Sequence, residues 1–96
     1  MSFCMGGQIK GLVSVIMPTY NRADIIGKAI ASVIKQSYDY WKLLIIDDGS
    51  TDYTKLAVEK FQDSRVKYFT YGVNHGGNYA RNYGMAKAQG GIYCLS

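Results

Sequence analysis

Histidine, proline and tryptophan each occur once in these 96 residues, and cysteine occurs twice. One proline and no biased tract exclude a proline-rich spacer or a low-complexity linker. Cys4 and Cys94 stand near opposite ends of the chain, without Cys-x-x-Cys or Cys/His spacing. That placement excludes a zinc-finger site and a disulfide framework, and leaves reduced, intracellular thiols as the expectation. Lysine and arginine outnumber aspartate and glutamate 11 to 7, but they are scattered, so no nucleic-acid patch forms and no nucleic-acid partner is expected. The mild net charge of +4 suits an anionic small ligand. No apolar run approaches the roughly 20 residues needed to cross a bilayer, so the chain is expected to be soluble, cytoplasmic and without a membrane segment.

What is present is globular in kind, with 48% hydrophobic and 19% charged residues. A chain of 96 residues is one domain at most, or part of one, because chains this short bury only about 60–65% of their unfolded surface. The opening "MSFCMGGQIKG" has no basic region leading into an apolar core, so residues 1–11 read as a flexible leader and not as a signal peptide. Residues 12–96 show no internal boundary or repeat.

The chain alternates between two kinds of pattern. "LVSVIM", Leu12 to Met17, is an apolar, β-branched run with Pro18 marking its exit, a buried first strand. From Ala23 to Gln36 the pairs Ile25/Ile26, Ala29/Ile30 and Val33/Ile34 recur every four residues, the stripe of an amphipathic helix. "KLLIID" is a second strand and "VKYFT" a third, with a helix between them from about Tyr53 to Gln62. Its apolar face is expected to be Tyr53, Leu56, Ala57 and Phe61, with Ser50, Thr51 or Asp52 as cap. A third helix near Asn78 to Gln89 carries Ala80, Gly84 and Ala88 as a stripe of small residues that permits close approach to a sheet, and "IYCLS" begins a fourth strand. A β-α-β-α-β-α-β order with short connections implies an α/β fold with an open, mostly parallel sheet and helices on both faces.

In such sheets ligands bind beyond the carboxyl ends of the strands, at the point where strand order reverses. Three loops lie there: "PTYNR", "DDGSTD" and "TYGVNHGGNYARN". Tyr20 offers an aromatic plane and a hydroxyl, Thr19 and Asn21 short hydrogen-bonding groups, and Arg22 a bidentate fork at a helix start. Asp47 and Asp48 end a strand and can accept from a base N–H or ribose hydroxyls, one expected to face ligand and the other structure. In the third loop Asn74, His75, Gly76 and Gly77 allow close backbone approach, while Arg81 can aim a guanidinium at a diphosphate. "PTYNRADIIGKA" supplies neither a Gly-x-Gly-x-x-Gly dinucleotide loop nor a Gly-x-x-x-x-Gly-Lys phosphate loop, and no Ser/His/Asp or carboxylate-pair arrangement for acid–base work is evident.

The ordered set of strand-Pro-x-Tyr-Asn-Arg, strand-Asp-Asp-Gly-Ser-x-Asp and Asn-x-Gly-x-x-x-Ala-Arg-Asn-x-Gly resembles the start of the family-2 glycosyltransferases of GT-A fold, over residues 12–96. The resemblance implies a truncated GT-A fold and the N-terminal, nucleotide-sugar-binding part of an inverting transferase, with a UDP-, GDP- or dTDP-sugar as donor. It implies that Pro18, Thr19 and Tyr20 line the base, that Arg22 lies beside the nucleotide, that Asp48 accepts from the base, and that Arg81 lies near the ribose and diphosphate. Asp47 is the less defined member of its pair. Manganese or magnesium is expected in the full-length enzyme, its Asp-x-Asp-type motif lying beyond Ser96 together with the catalytic base. The 96-residue chain alone is therefore expected to hold no metal and to be inactive. A shortened, non-catalytic homologue acting as a binding or self-association module stands as the alternative. A homodimer is expected through exposed apolar surface, with the small-residue helix face or the last strand as its contact.

Overall fold

The computed structural model describes residues 11–36 and 38–94. Four strands and three helices alternate: β1 (Val13–Thr19), α1 (Ala23–Lys35), β2 (Trp41–Asp47), α2 (Thr54–Glu59), β3 (Val66–Thr70), α3 (Gly77–Lys87) and β4 (Gly91–Cys94). Most of the expected leader, and the Leu95 and Ser96 end of the fourth strand, lie outside the described residues. No described helix is long and apolar enough to cross a membrane.

All strand pairs are parallel, in the order β3-β2-β1-β4. The two central strands are covered on both faces, which is why their sequences read as continuous apolar runs. Val13, Val15, Met17, Trp41, Leu43 and Ile45 pack with Ile26, Ala29, Ile30 and Val33 of α1 and Val58 of α2. Ile16, Leu44 and Ile46 point the other way, onto Ala80 of α3. Ser14 is the polar exception on that second face; its hydroxyl donates to the Gln89 carbonyl (2.7 Å) and accepts the Gln89 amide (2.9 Å), so burial leaves it fully paired.

β1 continues two residues past the expected exit, carrying Pro18 opposite Ile46. The Thr19 carbonyl accepts the Asp48 amide (2.8 Å). Ladder partners alternate along a strand, so the ring nitrogen of Pro18 faces the β4 side and no β1–β2 hydrogen bond is lost. The described β4 pairing ends at Ile16 opposite Cys94.

Two expectations are corrected. In α2 the buried positions are Thr54 and Val58, with Ala57 and Phe61 packed alongside, whereas Tyr53 and Leu56 are exposed at 75% and 55%. Thr54 turns inward because its hydroxyl is engaged: it accepts the Arg22 amide (3.1 Å) and donates to Asp52. The small-residue face of α3 is not available for a dimer contact, because it is buried against the sheet. A Cβ at Gly84 would stand 2.6 Å from Ile16 Cγ2 and 3.1 Å from Ile46 Cγ1, so glycine is what lets the helix lie this close.

Candidate functional site

α1 and α2 cover one face of the sheet and α3 the other, so strand order reverses between β1 and β4. At the carboxyl end of β1, beside that reversal, lies a cavity of about 400 Å³. Met17, Pro18 and Thr19 of β1 form its base, with Tyr20 and Arg22 following in the loop. Ile25, Ile26 and Ala29 of α1 form one wall, and Asp48 with Gly77 and Ala80 of α3 the opposite one. Tyr20 and Ile25 stand half-exposed, and Arg22 is exposed. Thr19 is buried, and its Oγ1 has no hydrogen-bond partner, an uncompensated polar atom in a residue that lines the cavity.

The first two loops are laced together. Asn21 adopts a left-handed backbone (φ +50°), which places its amide on Ser50 Oγ (2.8 Å) and its Oδ1 on the Thr51 amide (2.8 Å). Asp52 accepts the Ala23 amide with Oδ2 (3.2 Å) and the Thr54 amide with Oδ1 (3.0 Å), thereby fixing the starts of α1 and α2 to one carboxylate. The Thr54 hydroxyl holds Asp52's carboxyl below its ordinary value; partial burial opposes this, and the Ala23 amide adds to it. Tyr20 and Arg22 are therefore held at both sides of Asn21 by the loop that follows β2.

The paired carboxylates divide their work. Asp47 accepts the Ser50 amide on Oδ1 (2.8 Å) and the Tyr68 hydroxyl on Oδ2. Asp48 accepts the Tyr71 hydroxyl (2.5 Å) and the His75 amide (2.8 Å) on Oδ1, and the Gly76 amide (2.8 Å) on Oδ2. Both carboxylates are buried. Burial of Asp48 disfavours its charge, but the Tyr71 hydroxyl and the two amides more than offset this and hold the carboxyl below its ordinary value. Burial, with the neighbouring Asp48 charge, pushes the Tyr71 hydroxyl well up. Gly49 turns the chain between the loops at φ +77°, where a Cβ would meet the Val73 carbonyl carbon at 2.5 Å.

Of the eight residues singled out from the sequence, Pro18, Thr19, Tyr20, Arg22 and Asp48 meet at the cavity. Asp47 lies behind it, bonded to Tyr68 and the Ser50 turn. Asn74 is exposed and outside the lining. Arg81 is half-buried; its guanidinium donates to Asn78 Oδ1 and lies over Gly77, where a Cβ would stand 3.4 Å from Nη1. The sequence reading missed the Tyr68 and Tyr71 hydroxyls. Its available signal was "KYFTY": Tyr68 lies on the strand that pairs with the one ending in Asp47, and Tyr71 and Asp48 each follow directly after those strands. No group of three His, Cys, Asp or Glu among the described residues is arranged to hold a metal ion.

Comparison with known proteins gives this site a context. The profile of Glycosyl transferase family 2 matches residues 14–95. The UDP-Glc:alpha-D-GlcNAc-diphosphoundecaprenol beta-1,3-glucosyltransferase WfgD of Escherichia coli is 46% identical over 79 residues, 82% of this chain and 31% of that protein. The mannosyltransferase PcManGT of Pyrobaculum calidifontis, solved in complex with GDP-Man and Mn2+, superimposes with a TM-score of 0.74 at 29% identity, over 80% of this chain and 24% of its own. TarS of S. aureus superimposes with a TM-score of 0.77 at 31% identity, over 86% of this chain and 16% of its own. The chain spans a third or less of the length of the curated relatives it matches, 31–33% for three of them. The parallel sheet with helices on both faces is that of GT-A transferases.

Proposed function

The chain belongs to glycosyl transferase family 2, and from that premise we propose that it forms the nucleotide-binding part of an enzyme that transfers a sugar, with inversion, from a nucleoside-diphosphate sugar to an acceptor. One observation carries the reading: the cavity at the strand-order reversal has an aromatic ring, a guanidinium and an unpartnered buried hydroxyl around it. Those are the groups that a base, a diphosphate and a ribose or base carbonyl require. Tyr20 stacks on the base, Thr19 Oγ1, by rotation of its side chain toward the cavity, donates to a ligand oxygen, and Asp48 accepts one N–H from the base. Arg22 lies beside the diphosphate, and Arg81, reoriented from Asn78, reinforces it. The related enzymes named for UDP-Glc and solved with GDP-Man support a nucleotide-sugar donor.

In such a transfer the acceptor hydroxyl attacks the anomeric carbon opposite the diphosphate, loses its proton to a base, and the nucleoside diphosphate departs. The described residues bind and orient the donor but supply neither the base nor the metal. Asp47 is held by the Ser50 amide and the Tyr68 hydroxyl, and Asp48 by three protein donors that leave it one acceptor position for the base. The Mn2+ in the mannosyltransferase supports a divalent ion, which would need ligands from outside the described residues. Its chemistry would be neutralising charge on the leaving diphosphate.

Calorimetric titration of the full-length protein with UDP-, GDP- and dTDP-sugars, in manganese or magnesium, tests the reading. At least one donor is expected to bind, and Tyr20→Ala, Thr19→Val and Arg22→Ala are each expected to weaken it about tenfold or more. Unchanged affinity in all three variants would place the nucleotide elsewhere.

A further inference from the structure

The hydrogen bonds of Asp48 bear on which base the site accepts, and the argument rests on the nucleotide reading above. An ionised carboxylate has about four acceptor positions. Oδ1 of Asp48 already accepts the Tyr71 hydroxyl at 2.5 Å and the His75 amide at 2.8 Å, and Oδ2 accepts the Gly76 amide at 2.8 Å. One position remains, on Oδ2. Uracil and thymine present a single imide N–H, which one acceptor satisfies. Guanine presents N1–H and an adjacent amino group, a pair of donors that fits a carboxylate only when each oxygen is free to accept. The other groups around the cavity do not discriminate in this way, because stacking on Tyr20 tolerates any base and Arg22 addresses phosphate.

We propose that Tyr71 is a specificity-determining residue that, by occupying Oδ1 of Asp48, restricts the site to uracil- or thymine-containing nucleotides and disfavours guanine. The tyrosine is held for this task. Its ring packs edge-on to Tyr79 at 4.9 Å and against Tyr83 at 5.2 Å between centroids, so the hydroxyl is fixed relative to Asp48. Its upward-shifted hydroxyl keeps the proton it donates throughout the neutral range. Tyr68 provides a matched comparison: its hydroxyl donates to Asp47, the carboxylate that does not line the cavity.

The test is titration of full-length wild type, Tyr71→Phe and Tyr68→Phe with UDP and with GDP, alongside a thermal melt of each. Phenylalanine keeps the ring contacts and removes only the hydroxyl. Wild type is expected to bind UDP roughly tenfold or more tighter than GDP, the factor that one unpaired buried donor represents. The UDP-to-GDP ratio is expected to fall several-fold in Tyr71→Phe, through a gain in GDP binding, and to stay at the wild-type value in Tyr68→Phe. Equal or tighter binding of GDP by wild type, an unchanged ratio in Tyr71→Phe, or the same fall in Tyr68→Phe would overturn the assignment of Tyr71 while leaving the nucleotide site standing. Binding of neither nucleotide by wild type would overturn the nucleotide reading itself. If Tyr71→Phe does not fold, Tyr71→Met, which also lacks the hydroxyl, takes its place, with the same fall in ratio expected and an unchanged ratio overturning the assignment.

Discussion

Replacing Gly84 by alanine puts a methyl group where α3 crosses the sheet. It would stand 2.6 Å from Ile16 Cγ2 and 3.1 Å from Ile46 Cγ1, against the roughly 3.5–4.0 Å at which carbon atoms attract. Both isoleucines are fully buried on the central strands. Their stiff χ1 angles and close packing leave no room to swing aside, so the helix must lift by about 1 Å. Overpacking of this kind costs about 1–3 kcal/mol, and the better helix propensity of alanine returns about 1 kcal/mol. The net expected loss is about 0–2 kcal/mol. The lift also reaches the ligand: Ala80 and Gly77 line the cavity, and at 1.5 Å per residue they lie roughly 6 and 10 Å further along the same helix. Urea unfolding of Gly84→Ala reports the first effect, and nucleotide titration, expected to weaken several-fold, the second. A variant more stable than wild type by about 1 kcal/mol, as propensity alone would give, with nucleotide affinity unchanged, would refute the close approach of α3 to the sheet.

Further consequences follow from the loops and their charges. Asp48→Ala strands the Tyr71 hydroxyl and the His75 and Gly76 amides and is expected to cost about 3 kcal/mol in urea unfolding, the range for breaking charge-assisted bonds to a buried group. Because the folded-state value of Asp48 is depressed, its contribution is complete above about pH 4 and is lost as pH falls through that lower value. Asp48→Asn is therefore expected to flatten the acid limb of a stability–pH curve. Asp63 behaves alike: the Arg65 guanidinium (2.7 Å) draws its carboxyl down to about 2, and Asp63→Asn is expected to remove about 1 kcal/mol near neutrality, discounted for solvent screening, and the matching slope between about pH 4 and 2. Asn21→Gly keeps the left-handed backbone while Asn21→Ala strains it, so thermal melts should show the alanine variant lower by about 1 kcal/mol.

Much of this architecture was legible because each strand and helix carries its period openly. The runs Val15–Met17 and Leu43–Ile46 are apolar at every position because both faces are covered, and the four-residue recurrence in α1 has one solution. Gly84 and Ala80 announced a close approach to a sheet, and that is what they make. The face of α2 was misread because its buried anchor is polar: Thr54 turns inward through hydrogen bonds to Arg22 and Asp52, partners 32 and 2 residues away. In the third loop, "NHGGNYAR" showed chemistry without direction. Capture of the His75 and Gly76 amides by Asp48 sets that loop's path, leaving Asn74 exposed and Arg81 folded back on Asn78. Periodicity cannot reveal a contact 27 residues away. The apolar wall of the cavity was hidden for the opposite reason: Ile25 and Ile26 fit the helix stripe so well that nothing marked them as facing a ligand space.

A crystal structure of the full-length protein grown with UDP and manganese would locate the nucleotide. The base is expected against the Tyr20 ring between β1 and α3, with its N–H on Asp48 Oδ2 and one of its oxygens, or a ribose hydroxyl, on Thr19 Oγ1. Nucleotide density elsewhere, with the Thr19 hydroxyl still unpartnered and this cavity holding only solvent, would contradict that placement.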